Sequence, residues 1–249
     1  MATTSVFAHT MDTKSGGGGD GEIVEYASAT RNAGAICDAI SGVVAGVAET
    51  REEEGGVVAV EVATGTGQHA AAICSQVEGI GSWTPTDLTT ELASSVAGWA
   101  EKAGVGGVVQ DLVAVDLREE GWGQSVLGLA DGSVDLVYCA NMTHIAPIEA
   151  TQGLLSGAAS LLRPGGALVL YGPFMVDGKP TTESNAKFHA KLQSRDPAWG
   201  LRDIEADIAA PVRGKGLVLE ERVSMPANNF LLVLRASDAP ASDAPASGV

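Results

Sequence analysis

The amino-acid sequence predicts an α/β fold with a seven-stranded, mostly parallel sheet and helices on both faces. Three observations predict it. Short runs of β-branched and apolar residues alternate with segments of helical periodicity, as in successive β-α-β units. The first run, 57–62, enters a glycine turn and then a helix-forming segment. The last two runs, 216–223 and 230–235, are joined by so short a connection that they must form an antiparallel hairpin.

The elements follow one another in a regular order. Apolar residues recur at helical spacing over 28–49, which predicts an amphipathic helix ahead of the first strand. Further helices are predicted from the glycine turn to about 79, around 92–99 and over about 147–162. The strands are predicted at 57–62, 82–87, 108–116, 134–140, 167–171, 216–223 and 230–235.

One domain, 22–235, is predicted between two tails that cannot pack. Residues 1–21 form a Gly- and Ser-rich leader, and 236–249 repeat Ala-Ser-Asp-Ala-Pro; both are predicted to be disordered. Within the domain, 174–210 is an insertion after the fifth strand, with helices near 183–194 and 201–209. An insertion at that place lies over the carboxyl ends of the strands, where it can cover a pocket.

Composition excludes several classes of protein. At 249 residues and 45% hydrophobic content, the chain can bury one substantial core. A net charge of −16, with 15 basic residues spread along the chain, argues against nucleic acid as a partner. No apolar run is long enough to span a membrane, so no membrane partner is predicted.

The three cysteines Cys37, Cys74 and Cys139 form no C-x-x-C pair and lie in apolar runs, which predicts reduced thiols and a cytoplasmic location. Acids and histidines do not cluster with the spacing of metal ligands, so no metal is predicted.

The glycine turn predicts a nucleotide-like cofactor. Gly65 and Gly67 let the backbone approach a ligand closely, and the following helix start offers unpaired N–H groups. Two cofactors fit. The spacing Gly65-x-Gly67-x-x-Ala70, with Asp87 about twenty residues later, satisfies an NAD fingerprint. Glu61, an acid inside an apolar strand, needs a buried partner, which S-adenosylmethionine (SAM) would supply through its amino group.

Acidic residues end the next two predicted strands. In open α/β sheets, ligands bind outside the carboxyl ends of the strands. Asp87 is therefore placed to accept hydrogen bonds from two ribose hydroxyls, and Asp116 from an adenine amino group; the alternative for each is an ordinary loop cap. The predicted cofactor-binding residues are Arg31, Asn32, Glu61, Ala63, Gly65, Thr66, Gly67, His69, Asp87, Leu88, Asp116, Leu117, Asn141 and Met142.

Several motifs resemble those of the methyltransferase-like 26 family, over roughly 26–235. The motifs are Glu61-Val-Ala-Thr-Gly-Thr-Gly-Gln-His-Ala70, Trp83-x-Pro-Thr-Asp87, Asn141-Met-x-His144, Tyr171-Gly-Pro173, Asn185, Arg195-x-Pro-x-Trp-Gly-Leu-Arg-Asp203 and Met225-Pro-Ala-Asn-Asn229. The resemblance implies the class I SAM-dependent methyltransferase fold, which is Rossmann-like, and SAM as cofactor. It does not define an acceptor.

The chain departs from that resemblance at two places. Ala63 stands where many methyltransferases have the first glycine of the turn, although this family tolerates alanine there. Near Arg31, the family usually has a Glu before the Arg and a Pro a few residues later, whereas this chain has Thr30, Gly34 and Ala35. The first helix is therefore expected to cover the cofactor differently.

Two residues after the fourth strand are candidates for catalysis. Methyl transfer chiefly needs alignment and exclusion of water, so little acid–base chemistry is obligatory. If the acceptor must lose a proton, His144 is the candidate base, because its ordinary pKa is near neutrality; the alternative is a helix-start residue bonded to a carbonyl. Asn141 is predicted to orient the acceptor or the methyl donor.

The predicted acceptor-binding residues are Tyr26, Arg31, His144, Tyr171, Phe188, Trp199 and Arg202. Arginines beside aromatic residues suit a small carboxylate-bearing acceptor: a thiol, thioether, hydroxy acid or amino acid. The alternative is that Arg195 and Arg202 form ion pairs that brace the insertion.

Three classes of protein stay open at this point: a SAM-dependent methyltransferase of small molecules, a non-catalytic SAM-binding scaffold, and an NAD-dependent oxidoreductase. The sequence does not decide between a monomer and a homodimer.

Overall fold

A computed structural model of the chain describes residues 23–51 and 54–237. The predicted leader at 1–21 lies outside the described residues, as does the predicted tail from 238 onward. Ala236, which was assigned to the tail, instead ends the last strand and pairs with Leu217.

Seven strands form one sheet: β1 Val57–Val62, β2 Ile80–Asp87, β3 Val113–Ala114, β4 Val134–Ala140, β5 Leu162–Gly172, β8 Leu217–Met225 and β9 Asn229–Ala236. A small separate hairpin contains β6 Met175–Val176 and β7 Lys179–Pro180. The order in the sheet is β3-β2-β1-β4-β5-β9-β8. The first five strands in this order are parallel, and β9 and β8 add an antiparallel hairpin to the edge of β5. The predicted fold class is therefore confirmed.

Helices cover both faces of the sheet. The helices are α1 Ala27–Glu49, α2 Gln68–Gln76, α3 Ala93–Lys102, α4 Trp122–Ser125, α5 Ile148–Leu161, α6 Glu183–Arg195 and α7 Ala210–Val212, the last preceded by a π-helix at Ile204–Ala209. Apolar residues of α1, α2 and α3 pack on one face, and those of α4, α5 and α7 pack on the other. Residues of β1 pack on both faces of the sheet. Val57 and Ala59 pack on the face covered by α1, α2 and α3, and Val60 and Val62 pack on the face covered by α4, α5 and α7.

Three predicted elements are wrong in extent. The third strand was predicted over 108–116 but contains only Val113–Ala114, with one isolated bridge between Val109 and Trp83. The fifth strand begins at Leu162, directly after α5, rather than at 167. The helix predicted at 201–209 begins at Ile204, because Asp203 caps it by accepting the N–H groups of Glu205 and Ala206.

A buried acid joins the elements at the amino ends of the strands. Asp135, at the start of β4, is fully buried and forms ion pairs with Arg51 and with Arg163, the latter at 2.5 Å between Nε and Oδ1. Its Oδ2 also accepts the backbone N–H of Val58 at 2.7 Å. One carboxylate thus connects β1, β4, β5 and the segment after α1.

Candidate functional site

A cavity of about 350 Å³ lies at the carboxyl ends of β1, β2 and β4. Of the predicted cofactor residues, those in its wall are Arg31, Asn32, Ala63, Gly65, Thr66, His69, Asp87, Asn141 and Met142. Of the predicted acceptor residues, Tyr26, Arg31, His144 and Phe188 are in the wall. The folded chain thus brings together residues from α1, the glycine turn, the end of β2, the segment after β4, and α6.

The glycine turn owes its shape to left-handed backbone conformations. Ala63, Gly65 and Gly67 have φ angles of 56°, 59° and 88°. A Cβ at Gly67 would lie 2.6 Å from the Cα of Val96 on α3, whereas a Cβ at Gly65 would meet no atom within 4 Å. Gly67 is therefore required for packing of the turn against α3. Gly65 is required by its φ angle, and it leaves space at the cavity wall.

Asp87 ends β2 and is fixed by two backbone N–H groups. Its Oδ2 accepts from Gly65 at 2.9 Å and its Oδ1 from Leu88 at 2.7 Å. Burial raises the pKa of Asp87, and these two hydrogen bonds oppose the shift. Because each carboxylate oxygen can accept more than one hydrogen bond, both still offer acceptor capacity to a ligand hydroxyl in the cavity.

Glu61 does not line the cavity, and its partner differs from the one expected. It is 2% exposed beneath the glycine turn, and its Oε2 accepts the indole N–H of Trp83 on β2 at 3.0 Å. Burial raises its pKa to about 8, although the hydrogen bond from Trp83 opposes the shift. Trp83 thus supplies a buried partner for Glu61, and the contact with a cofactor amino group stays a prediction.

His69 lies at the start of α2 with its ring in the cavity wall. Its Nδ1 is 3.4 Å from the hydroxyl of Tyr138 on β4, and the two rings meet edge to face. Burial lowers the pKa of His69 to about 4, so the ring is neutral near pH 7.

Four other predicted cofactor residues lie away from the cavity wall. Asp116 forms an ion pair with Arg118, at 2.9 Å between Oδ1 and Nε, and that guanidinium holds the pKa of Asp116 below its ordinary value. Leu117 packs into the core beneath α5. Leu88 donates its N–H to Asp87. Val96 occupies the space that a side chain at Gly67 would need. The last residue of β3, Ala114, pairs with Asp87, and Asp116 follows two residues later with its carboxylate bonded to Arg118.

His144 lies in a short 3-10 helix, Thr143–Ile145, after β4. Its ring is 4% exposed and meets Phe188 of α6 edge to face, at 5.4 Å between centroids. Burial, assisted by the charge of Arg202, lowers its pKa to about 3. His144 is therefore neutral near pH 7 and can accept a hydrogen bond.

Arg202 braces the segment that carries His144 and does not line the cavity. Its Nε donates to the carbonyl of Thr143 at 3.0 Å, and its Nη2 to the carbonyls of Ala146 and Ala198 at 2.6 and 3.0 Å. Within residues 23–51 and 54–237, Arg202 forms no ion pair with a neighbouring acid, so the alternative prediction is wrong for this arginine. The guanidinium instead holds the insertion against the segment after β4.

Trp199 and Tyr171 also serve packing. Trp199 is buried with Leu192 and Leu201, against Ile145 and Phe188 of the cavity wall. Tyr171 is 2% exposed, and its hydroxyl accepts from Nδ2 of Asn229 at the start of β9. Both residues were predicted to contact an acceptor. Instead, neither lines the cavity, and both pack behind the residues that do.

Sequence reasoning missed several wall residues, including Ser28, Thr64, Gln68, Thr89, Glu91 and Ile145. Gln68 carried the clearest signal, because it is a polar residue at the first helical position directly after the glycine turn.

Three buried polar atoms in cavity-wall residues, Thr64 Oγ1, His69 Nε2 and His144 Nδ1, make no hydrogen bond of ordinary geometry with the described residues. Unpaired buried polar atoms are costly, so a cluster of them around one cavity indicates a polar ligand.

Within residues 23–51 and 54–237, no group of His, Cys, Asp or Glu is arranged to hold a metal ion. The same ranges contain no helix that is long and apolar enough to cross a membrane. Cys37, Cys74 and Cys139 are all free thiols.

A family model with the description "Protein of unknown function (DUF938)" matches residues 25–236. The chain belongs to this DUF938 family. The match covers the complete described sheet and all helices that surround the cavity.

Solved structures show what fold a DUF938 chain adopts. An O-methyltransferase family protein from Burkholderia thailandensis aligns with a TM-score of 0.62 and 22% identity, over 84% of this chain and 60% of that one. The mitomycin 7-O-methyltransferase MmcR aligns at 0.59 and 18%, over 80% and 54%. PigF, solved with SAH, aligns at 0.56 and 16%, over 80% and 56%.

These identities are low enough that the likeness establishes the fold alone. This chain spans 60% or less of the length of each of these three structures. The fold that they share with this DUF938 chain is the class I methyltransferase fold, as predicted.

Proposed function

We propose that this DUF938 protein is a SAM-dependent methyltransferase that acts on a small molecule. The observation that carries the proposal is the cavity at the carboxyl ends of β1, β2 and β4, with Asp87 and the left-handed glycine turn on adjacent sides. The class I methyltransferase fold and the resemblance to methyltransferase-like 26 proteins support it.

The residues present fit SAM. Asp87 offers carboxylate oxygens to ribose hydroxyls, and the backbone at Gly65 leaves room for close approach. Thr64 and His69 place buried polar atoms at the cavity wall that can bond to the ligand. SAM bound there would supply an electrophilic methyl group.

Other residues of the cavity wall suit the acceptor. Tyr26 and Phe188 present aromatic surface, and Asn141 and His144 present polar groups. Because Arg202 is committed to backbone carbonyls, recognition of an acceptor carboxylate would depend on Arg31. Arg31 is exposed and makes no hydrogen bond or ion pair within residues 23–51 and 54–237. The acceptor class is a small thiol, thioether, hydroxy acid or amino acid.

His144 would orient the acceptor. Its neutral ring can accept a hydrogen bond from an O–H, S–H or N–H group and hold the nucleophilic atom in line. Arg202 fixes the carbonyls on either side of His144, and Phe188 packs on its ring and helps exclude water. Asn141, held at a φ of 59° by the end of β4, would orient the acceptor or cofactor through its amide.

A calorimetric titration with SAM, with its demethylated product SAH and with NAD tests the cofactor. We expect SAM and SAH to bind and NAD not to bind. The Asp87→Ala variant should weaken SAM binding by at least about tenfold, because its carboxylate accepts from the ligand. Binding of NAD in preference to SAM would establish the oxidoreductase alternative instead.

A screen of small acceptors for production of SAH tests the activity. The His144→Ala variant should lower turnover by about a hundredfold or more while SAM affinity stays within about threefold of wild type. If SAM binds tightly but no acceptor in any of the named classes gives SAH, the non-catalytic scaffold is the better description.

A further inference from the structure

A short segment ahead of α1, residues 23–26, crosses the outside of the glycine turn and leads into the cavity wall. We call it the strap. Tyr26 at its end lines the cavity, and so do Ser28, Arg31 and Asn32 in the first turns of α1. The position of these wall residues therefore depends on what holds the strap.

The side-chain amide of Gln68 holds the strap at its cavity end. Its Oε1 accepts the backbone N–H of Tyr26 at 2.7 Å and the hydroxyl of Thr66 at 2.8 Å. Its Nε2 donates to the carbonyl of Tyr26 at 3.3 Å and to the hydroxyl of Thr30 at 2.9 Å. Gln68 is 6% exposed, so both polar groups of the amide are satisfied inside the protein.

The other end of the strap is held by α3. Ser95 Oγ accepts the N–H of Val24 at 2.9 Å and donates to the carbonyl of Thr66 at 2.9 Å. The indole N–H of Trp99 donates to the carbonyl of Val24 at 2.9 Å. Thr66 is thus bonded through its hydroxyl to Gln68 and through its carbonyl to Ser95, which ties the glycine turn to both ends of the strap.

We infer that Gln68 is a positioning residue that couples the glycine turn to the strap and so sets the affinity for SAM. The inference rests on the proposed function. Gln68 joins the backbone of the strap and the hydroxyl of Thr30 on α1 to the hydroxyl of Thr66 in the glycine turn. Its loss should free Tyr26 and the first turn of α1 and leave the sheet intact.

The test compares the Gln68→Met variant with wild type and with Gln76→Met. Gln76 is exposed at the other end of the same helix, so it controls for the substitution itself. SAM and SAH affinities are measured by calorimetry, and amide hydrogen exchange is measured on peptides covering 23–32 and 57–62. We expect Gln68→Met to weaken SAM at least about tenfold and to speed exchange in 23–32 without changing it in 57–62.

A second variant, Ser95→Ala, removes the hydrogen bond from α3 to the N–H of Val24 and the hydrogen bond to the carbonyl of Thr66, and leaves the Gln68 side chain in place. We expect the same direction of change in SAM affinity and in exchange over 23–32. Retention of wild-type SAM affinity, within about twofold, by a Gln68→Met protein with a released strap would overturn the inference. Failure of wild-type protein to bind SAM would overturn the proposed function, and the inference with it.

Discussion

Glu61 lies inside β1, and the hydrogen bond that it accepts comes from Trp83, 22 residues later in the chain. A carboxyl group in the core is stable if it is protonated or well paired, and burial raises the pKa of Glu61 to about 8. Glu61 therefore links β1 to β2 beneath the glycine turn.

This shift in pKa gives a prediction for Glu61→Gln. Between pH 4.5 and about 8, the folded protein holds a proton on Glu61 that the unfolded chain has lost, so wild-type stability falls as pH rises through this range. Gln keeps an acceptor for Trp83 and does not titrate. As pH rises through this range, the unfolding free energy of Glu61→Gln should therefore increase relative to that of wild type, by up to about 1.4 kcal/mol per pH unit. Denaturant unfolding at pH 5, 6.5 and 8 measures it; a constant difference would contradict the assignment.

The two glycines of the turn should respond differently to alanine. Gly65→Ala places its Cβ in open space, so the folding cost is only that of the left-handed φ, about 1–2 kcal/mol, while SAM binding is lost. Gly67→Ala places its Cβ 2.6 Å from the Cα of Val96 and should destabilise the fold more. Thermal unfolding and SAM titration separate the two effects. Normal SAM affinity in Gly65→Ala would show that the ligand does not approach this backbone.

At the scale of elements, the insertion after β5 acts through the segment that follows β4. Trp199 and Leu201 pack behind Ile145 and Phe188, and Arg202 donates to carbonyls on both sides of His144. Gly200 completes the contact, because its N–H donates to the carbonyl of His144 at 3.1 Å. The Trp-Gly-Leu-Arg-Asp motif is thus a brace for the site.

Removal of the brace should affect the acceptor more than the cofactor. Arg202→Met leaves three backbone carbonyls without their donor and frees the segment with His144. We expect a higher KM for the acceptor and a lower kcat, with SAM affinity little changed. The control is Arg213→Met, which removes only an exposed ion pair with Glu205. Equal kinetic effects of the two substitutions would argue against a bracing role for Arg202.

At the scale of the whole molecule, the two ends of the parallel strands have different roles. The cavity lies at the carboxyl ends, and Asp135 with its two arginine partners lies at the amino ends. Removal of one member of a buried ion pair leaves the other charges without compensation.

Asp135→Ala should therefore destabilise the fold by about 3–5 kcal/mol, because it leaves Arg51 and Arg163 without their buried partner. SAM affinity, measured well below the unfolding transition, should stay unchanged because the cavity lies at the opposite ends of the strands. The comparison is Asp131→Ala, an exposed acid that accepts from Ser160 and should alter stability little. A loss of SAM affinity in folded Asp135→Ala protein would show that the two ends are coupled.

The sequence by itself determined the order of the elements, the fold class and the position of the glycine turn. It did so because hydrophobic periodicity and turn chemistry are local properties of the chain. The same local signals placed Gly65, Asp87 and His144 after strands, at the one edge of a parallel sheet where ligands bind.

Only the tertiary structure decided which of these side chains reach the cavity. Arg202 lies in the insertion, Tyr171 near the end of β5, and Asp116 just after β3, yet they bond to backbone carbonyls, to Asn229 and to Arg118. Gln68 acquired a role because the strap passes beside it. A polar side chain bonds to whatever partner the fold brings near, and partners distant in sequence leave no periodic signal.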